Sequence, residues 1–336
     1  MKVAWCLSWL LIGLLTAAAQ TSFNQLRRVS LFGYEYIRLD DWAGANGFQV
    51  QWVVRNEQAR AILGTTRLEF DHNSRRVLLN GIAVWLSVPV IARNGSMYVG
   101  SVDFRTAIHP VLFPARNVSG KTVKTIVLDP GHGGKDPGNR EGLQQEKKYT
   151  LLLAKELSDI LGKAGFRVSL TRSTDSSLEL TDRPEIARRR SADLLVSLHF
   201  NSADRAGAKT VQGVETYAMT PFRASSTNAR GEGAGAGLFP GNRNDLKNML
   251  LAYQVQKAFV RQLSSEDRGV RRARFAVLRN AEMPAVLVEC GFMTHPIESK
   301  RIYDPAQRRR MAQAIADGII AYRSLVDAPK AELRSK

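Results

Sequence analysis

Hydrophobic and polar positions alternate along the first third of the chain, and then the period changes. Tyr34-Glu35-Tyr36-Ile37-Arg38-Leu39, Phe48-Gln49-Val50-Gln51-Trp52 and Arg67-Leu68-Glu69-Phe70 repeat every two residues, the mark of half-buried strands. Val77-Leu78-Leu79-Asn80-Gly81-Ile82-Ala83-Val84 sets Asn-Gly between two apolar runs and predicts a tight hairpin. Asp40 to Asn46 predicts a short helix closed by Gly47. Residues 21–115 thus read as a small β-rich domain, and Pro114 to Lys121 as a linker.

From residue 122 strand and helix patterns alternate. Strand 122–129 precedes a helix over 146–164, in which Leu153, Leu157, Ile160, Leu161 and Ala164 share a face and Gly165 is the stop. Strand 167–171, a helix near 182–191, and strands 193–199 and 213–218 follow. After a Gly/Ala/Ser-rich loop at 221–242 come a helix over 244–264, strands 275–279 and 285–290, and a last helix from 305 to 325. This order predicts an α/β fold over residues 122–326, a mostly parallel sheet with helices on both faces, preceded by the small β-rich domain. Residues 327–336 read as a basic tail.

The chain has 336 residues, room for two domains, and a formal charge of +17 that draws it to polyanions. Met1-Lys2, an apolar stretch through Leu15 and Ala17-Ala18-Ala19-Gln20 predict a signal peptide over residues 1–19. Export to the periplasm or cell wall follows, with no stable membrane insertion after cleavage, because that stretch is short for a spanning helix. Export and the lack of a nucleic-acid motif argue against nucleic acid as the polyanion. The clusters Arg188-Arg189-Arg190 and Arg308-Arg309-Arg310 read as solvated helix faces. Of the two cysteines, Cys6 leaves with the leader, so Cys290 has no internal disulfide partner.

Candidate chemistry gathers where apolar strands stop. Ile126-Val127-Leu128-Asp129-Pro130-Gly131-His132-Gly133-Gly134 is a buried strand that ends at a histidine wrapped in glycines. Asp193-Leu194-Leu195-Val196-Ser197-Leu198-His199 is a second strand ending in histidine, and Glu146 opens a helix between them. Taken singly, Glu146 is a first-turn charge favoured by the helix dipole, and each histidine is as well explained by a turn or a satisfied core. Taken jointly, two strand-end histidines and a carboxylate make a zinc site, one ion per chain, with a fourth position open for water. Ala285-Val286-Leu287-Val288-Glu289-Cys290 puts a lone carboxylate in an apolar strand, where it would be costly without a task or a partner. By alternation Glu289 shares a side with Leu287, and Cys290 packs opposite with Val288. His72 and His109 read as turn or surface residues, and His295 as loop structure.

At this point the chain resembles the zinc-dependent N-acetylmuramoyl-L-alanine amidases of the type 3 family. The family's motifs stand as Leu128-Asp129-Pro130-Gly131-His132-Gly133-Gly134, Glu146-Lys147, Leu170-Thr171-Arg172, Ser197-x-His199-x-Asn201 and Glu289-x-Gly291-Phe292, in order, within residues 122–326. The resemblance implies cleavage of the amide between N-acetylmuramic acid and L-alanine in peptidoglycan. It implies His132, Glu146 and His199 as zinc ligands and Glu289 as the catalytic glutamate. Asp129 and Arg183 match family positions and are expected to brace loops or substrate; Asn201 and Arg183 are the candidates for substrate contact. Division-associated members carry a helical plug that a protein activator moves. The stretch 221–242, with Glu232 its only acid, lacks the amphipathic pattern of such a plug, and an activator stays open as a partner. Residues 21–115 resemble the small domain at the N-terminus of copper amine oxidases, through Gly47-Phe48, the Asn80-Gly81 turn and Tyr98-Val99. No clustered ligands suggest copper, so a role in wall or partner binding, dispensable for the chemistry, is expected. A peptidase acting on free peptides and a non-catalytic wall-binding protein are the rival readings.

Overall fold

The computed structural model describes residues 23–118, 122–227 and 237–327. The predicted leader, residues 328–336 of the basic tail and the middle of the Gly/Ala-rich loop with Glu232 lie outside the described residues. Strands β1 (Arg28–Leu31) and β2 (Tyr34–Arg38) lead into helix α1 (Leu39–Asn46), which Gly47 ends at φ +78° as expected. Trp42 anchors α1: its ring stacks on Phe104 at 4.7 Å, and its Nε1 donates to His109 Nε2 at 2.7 Å. His109 therefore corrects the expectation of a turn or surface residue. It is enclosed by aromatic rings, and burial, with Arg116 nearby, pushes its pKa down to about 4.

An antiparallel meander follows: β3 (Gln49–Val54), β4 (Gln58–Leu63), β5 (Thr66–Asp71), β6 (Arg76–Leu79) and β7 (Ile82–Trp85). Asn80 and Gly81 both take positive φ at the last hairpin, the conformation that the Asn-Gly pair supplies. Strands β8 (Ile91–Arg93) and β9 (Ser96–Gly100) close a separate four-stranded sheet of order β1-β2-β9-β8. Short helices α2 (Ser101–Asp103), α3 (His109–Leu112) and α4 (Pro114–Asn117), with a π-helical turn at Phe104–Ile108, carry the chain onward.

The second part comprises β10 (Thr125–Pro130), the small hairpin β11 (Arg140–Glu141) and β12 (Gln144–Gln145), α5 (Glu146–Lys163), β13 (Arg167–Leu170), α6 (Asp182–Arg189), β14 (Leu194–Asn201), β15 (Val214–Met219), α7 (Asp245–Leu263), β16 (Asp267–Ala273), α8 (Ala276–Arg279), β17 (Ala285–Phe292), α9 (Pro296–Tyr303) and α10 (Pro305–Asp327). Strands β13, β10, β14 and β17 are mutually parallel, as expected. The sheet as a whole is mixed, because β15 runs antiparallel to β17. Strands β14 and β15 flank β17, and the loop between them holds no helix to carry the chain back to the other end of the sheet, so β15 runs in the reverse direction. The strand expected at 275–279 is a helix, α8, and the strand lies earlier, at Asp267–Ala273. Three arginines in β16 hid it: Arg272 is buried, and Arg268 and Arg271 are half-buried against Glu215 rather than turned fully to water.

The two sheet faces are covered unequally. Val196, Leu198, Val286, Val288 and Cys290 join one core with Leu153 and Leu157 of α5, Val255 of α7 and Ile315 of α10. The opposite face carries Val127, Leu195, Tyr217 and Leu287, covered by Ala187 of α6 and Val277 and Leu278 of α8. Cys290 thus packs away from Glu289, as alternation requires. The short cover leaves the carboxyl ends of β10, β14 and β17 open, where sites in such sheets form.

The meander does not stand apart. Strand β16 pairs in parallel with β7 at Val270 and Val84, so β7 to β3 extend the same sheet to eleven strands. Asp267 Oδ2 accepts from Ala83 N at 2.7 Å, Trp85 Nε1 donates to the Arg268 carbonyl at 2.8 Å, and Tyr253 OH donates to the Leu79 carbonyl at 2.8 Å. Gly269 is required here: at φ +91°, a Cβ would lie 2.9 Å from the Ala83 carbonyl oxygen. No helix among the described residues is long and apolar enough to cross a membrane.

Candidate metal centre

Strand β10 delivers His132 to the end of the sheet in a left-handed backbone conformation, φ +60°. Such a φ is uncommon outside glycine and is held here by the surroundings. The buried Asp129 accepts from Thr171 Oγ1 (2.6 Å), Ser197 Oγ (2.7 Å) and Arg183 Nη1 (2.8 Å). Arg183 also donates to the Pro130 and His132 carbonyls, each at 3.0 Å, and Arg172 donates to the Pro130 and Gly131 carbonyls at 3.1 and 2.7 Å. The turn that carries His132 is therefore tied by its own carbonyls. Gly131 leaves room for the second histidine: a Cβ there would lie 2.2 Å from His199 Cε1.

His132, Glu146 and His199 meet at this point, as the sequence predicts. Their ligand atoms all lie within 4.8 Å of one another. Glu146 Oε2 is 3.1 Å from His132 Nε2, and Oε1 is 3.0 Å from His199 Nδ1. The carboxylate is 1 % exposed and also accepts from Asn139 N at 2.9 Å and Phe200 N at 3.0 Å. Burial pushes Glu146 up, but the two imidazoles outweigh it and hold the carboxyl well below its ordinary range. His132 Nδ1 faces Asp136 Oδ2 at 2.7 Å, so Nε2 is the nitrogen turned to Glu146. Burial lowers His132, and the Glu146 and Asp136 carboxylates more than reverse this. Two imidazoles and a buried carboxylate at this spacing, one imidazole backed by a second carboxylate, suit a zinc ion.

Glu289 stands beside the cluster, paired in register with His199 on β14 and with Glu215 on β15. Its Oε2 is buried without a hydrogen-bond partner. Burial, then the charges of Glu146 and Glu215, push its carboxyl well above the ordinary range. His132, Glu146, His199 and Glu289 line a cleft of about 830 Å³, together with Ser177 to Leu180 and Phe275 to Val277. Asn201 sits half-buried in the cleft and donates to Glu215 Oε1 at 2.9 Å. Arg183 borders the cleft too, but is 4 % exposed, its guanidinium engaged in holding the His132 turn. His295 caps α9, its ring accepting from Glu298 N, and His72 accepts from Ala92 N far from the cleft.

Sequence reasoning missed Asp136 and Glu215. Glu215 carries the signal that marked Glu289, a lone carboxylate in the apolar run Val214-Glu215-Thr216-Tyr217. It is 4 % exposed, accepts from Tyr217 OH at 2.9 Å, and pairs with Arg268 Nε at 3.2 Å and Arg271 Nε at 2.8 Å.

Comparison with known proteins gives the family. Residues 126–321 match the sequence profile of the Amidase_3 family, N-acetylmuramoyl-L-alanine amidase. The N-acetylmuramoyl-L-alanine amidase AmiA of Escherichia coli (strain K12) is 35% identical over 244 residues, which span 66% of this chain and 83% of AmiA. LytC of Bacillus subtilis (strain 168), of the same description, is 32% identical over 199 residues, 59% of this chain and 35% of LytC. Among solved structures, the amidase AmiC2 of Nostoc punctiforme matches 61% of this chain and 98% of its own at 35% identity, with a TM-score of 0.50. The motifs around His132, Glu146, His199 and Glu289 all fall inside the matched span, and the chain belongs to the N-acetylmuramoyl-L-alanine amidase family.

Proposed function

We propose that the chain hydrolyses the amide between the lactyl group of N-acetylmuramic acid and the L-alanine of the stem peptide in peptidoglycan, with one zinc ion held by His132, Glu146 and His199. The observation that carries this reading is the convergence of those three side chains beside the unpartnered carboxylate of Glu289. The family and the names of its relatives support the substrate class. Bound zinc supplies Lewis acidity that activates water and polarises the amide carbonyl. Glu289, in the carboxylate form that the positive charge of zinc would favour when bound, takes the proton of the attacking water and returns it to the departing L-alanine nitrogen. Asp136 fixes the orientation of His132, Arg183 and Arg172 hold its turn, and Asn201 is the side chain that faces substrate. The leader motif supports export to the periplasm or cell wall, where the +17 charge favours attachment. Residues 21–115, with their resemblance to the copper amine oxidase N-terminal domain, are proposed to contribute to wall or partner binding.

Digestion of purified sacculi followed by mass spectrometry tests the reaction. New L-alanine amino ends paired with free lactyl carboxylates are expected; cuts confined to glycan strands or to peptide cross-links would reject it. The ligand assignment has its own readout. His132→Ala and His199→Ala should each lose most of their zinc by elemental analysis, and full occupancy in both variants would sink the assignment. Asp136→Asn should weaken zinc binding roughly 10- to 100-fold, as loss of a carboxylate behind a ligating histidine does. Unchanged affinity in a chelator competition would remove Asp136 from the centre.

A further inference from the structure

The meander reaches the cleft through side chains, and its role there rests on the amidase activity proposed for the chain. On the cleft side of the sheet one row of neighbours runs His199, Glu289, Glu215, and Gly269 follows Glu215 in register on β16. Glu215 is clamped by Arg268 and Arg271 on β16. Trp85 on β7 holds the Arg271 side chain and the Arg268 backbone, while the Arg268 guanidinium itself lies over Phe292. The Trp85 ring lies under the Arg271 guanidinium, 4.5 Å from centroid to Cζ, and its Nε1 donates to the Arg268 carbonyl at 2.8 Å. On the other side Glu215 holds Asn201 Nδ2 and Tyr217 OH, each at 2.9 Å. Every link from β7 to the wall of the cleft is thus a hydrogen bond, an ion pair or a cation–π contact. Strand β15, which carries Glu215, is also the antiparallel neighbour that fixes the Glu289 segment of β17.

We propose that Trp85 is a positioning residue for Glu289: by holding the Arg268–Arg271 clamp on Glu215, it lets the N-terminal meander set the wall of the catalytic cleft. None of the zinc ligands lies on β7, β15, β16 or β17, and none is bonded to Trp85, Arg268 or Arg271. A slight displacement of a proton-transfer group lowers turnover sharply, whereas affinity for a long substrate, spread over many contacts, changes little.

The test uses the full chain and a soluble muramyl tetrapeptide. Trp85→Ala should keep its zinc, leave KM within about twofold and lower kcat about tenfold. It should also speed amide hydrogen exchange in β15 and in residues 287–292, read by mass spectrometry without substrate. Trp85→Phe, which keeps a ring for Arg271, should recover most of kcat. Tyr253→Phe is the control: it removes a hydrogen bond across the same junction, to the Leu79 carbonyl, but touches no part of the clamp. It should leave kcat and cleft exchange unchanged. Equal kcat in Trp85→Ala and the parent chain, or an equal loss in Tyr253→Phe, overturns the proposal while leaving the amidase reading intact. An inactive parent chain rejects the amidase reading, and unchanged exchange in Trp85→Ala still rejects the positioning. If the alanine variant does not fold, Arg271→Gln reads the clamp from its other partner, with the same tenfold loss expected and the same overturning result.

Discussion

Glu289→Gln folds, binds zinc as the parent chain does and hydrolyses muramyl peptides slower by about a thousandfold, within the range that a positioned general acid–base supplies. The amide has the size and shape of the carboxyl group and cannot carry the proton. Glu289 is not among the three convergent ligands, so zinc stoichiometry is expected to stay at one per chain. The fold also loses nothing: Oε2 makes no hydrogen bond, and burial beside two other carboxylates makes the charged form unfavourable. A neutral amide of the same shape buries no charge at this position, and the thermal midpoint of the metal-free chain should not fall. Catalysis is thus lost without loss of stability, the pattern of a group kept for chemistry. Near-parent turnover with full zinc would assign the proton to another group. A fall in midpoint with lost zinc would make Glu289 a structural residue.

The placing of His132, His199 and Glu289 at one end of the sheet was legible because each of the three breaks a local rule. His132 and His199 end apolar strands, and Glu289 interrupts one, so the pattern that predicts the sheet also marks the exceptions to it. Glu146 broke no rule, being well explained as a first-turn charge; only the joint pattern and the family motif marked it, and the structure brings it between the two imidazoles. Asp136 was illegible for the opposite reason: it lies in a Gly-rich loop where an aspartate is ordinary. Arg183 carried two readings, bracing and substrate contact, because no sequence pattern tells one from the other; its four hydrogen bonds to fold atoms support bracing. The alternation of strands and helices gave the parallel core, whereas strand order depends on pairing between distant segments. Nothing local distinguishes β7 as an edge from β7 as the neighbour of β16, and Asp267-Arg268-Gly269-Val270-Arg271-Arg272 reads as a polar loop until its arginines are seen paired with Glu215 and Trp85.

That pairing changes what truncation should do. The sequence suggests a separable N-terminal domain, and a chain starting at Val118 would then fold and cut small fragments. The shared sheet makes the opposite outcome the expected one: this truncated chain is aggregated or only partly folded, although every zinc ligand and Glu289 are retained. Removing residues before Val118 leaves the β16 edge unpaired and strips α7 of its packing against α3, the π-helical turn and β7. Val84, Phe104 and Ile108, wholly buried in the common core, would go with the deleted segment, and their neighbours would meet water. At roughly 1.5–3 kcal/mol for each large apolar side chain uncovered, exposing even three costs on the order of 5 kcal/mol. A whole domain has only about 5–15 kcal/mol to lose. The buried guanidinium of Arg272 would also lose one of its two acceptors, the Thr106 carbonyl at 2.6 Å, and keep only the Met219 carbonyl. A bare strand edge next to apolar surface is in addition a template for intermolecular pairing. Size-exclusion chromatography and circular dichroism melting of the two chains, each loaded with zinc, decide the matter. A monomer that melts cooperatively within about 5 °C of the full chain, a shift worth no more than about 1–2 kcal/mol at this size, would show that the eleven-stranded sheet is a contact between two independent domains. Loss of the monomer, reversed when residues 23–117 are supplied as a separate peptide, would show that the meander belongs to the fold of the amidase itself.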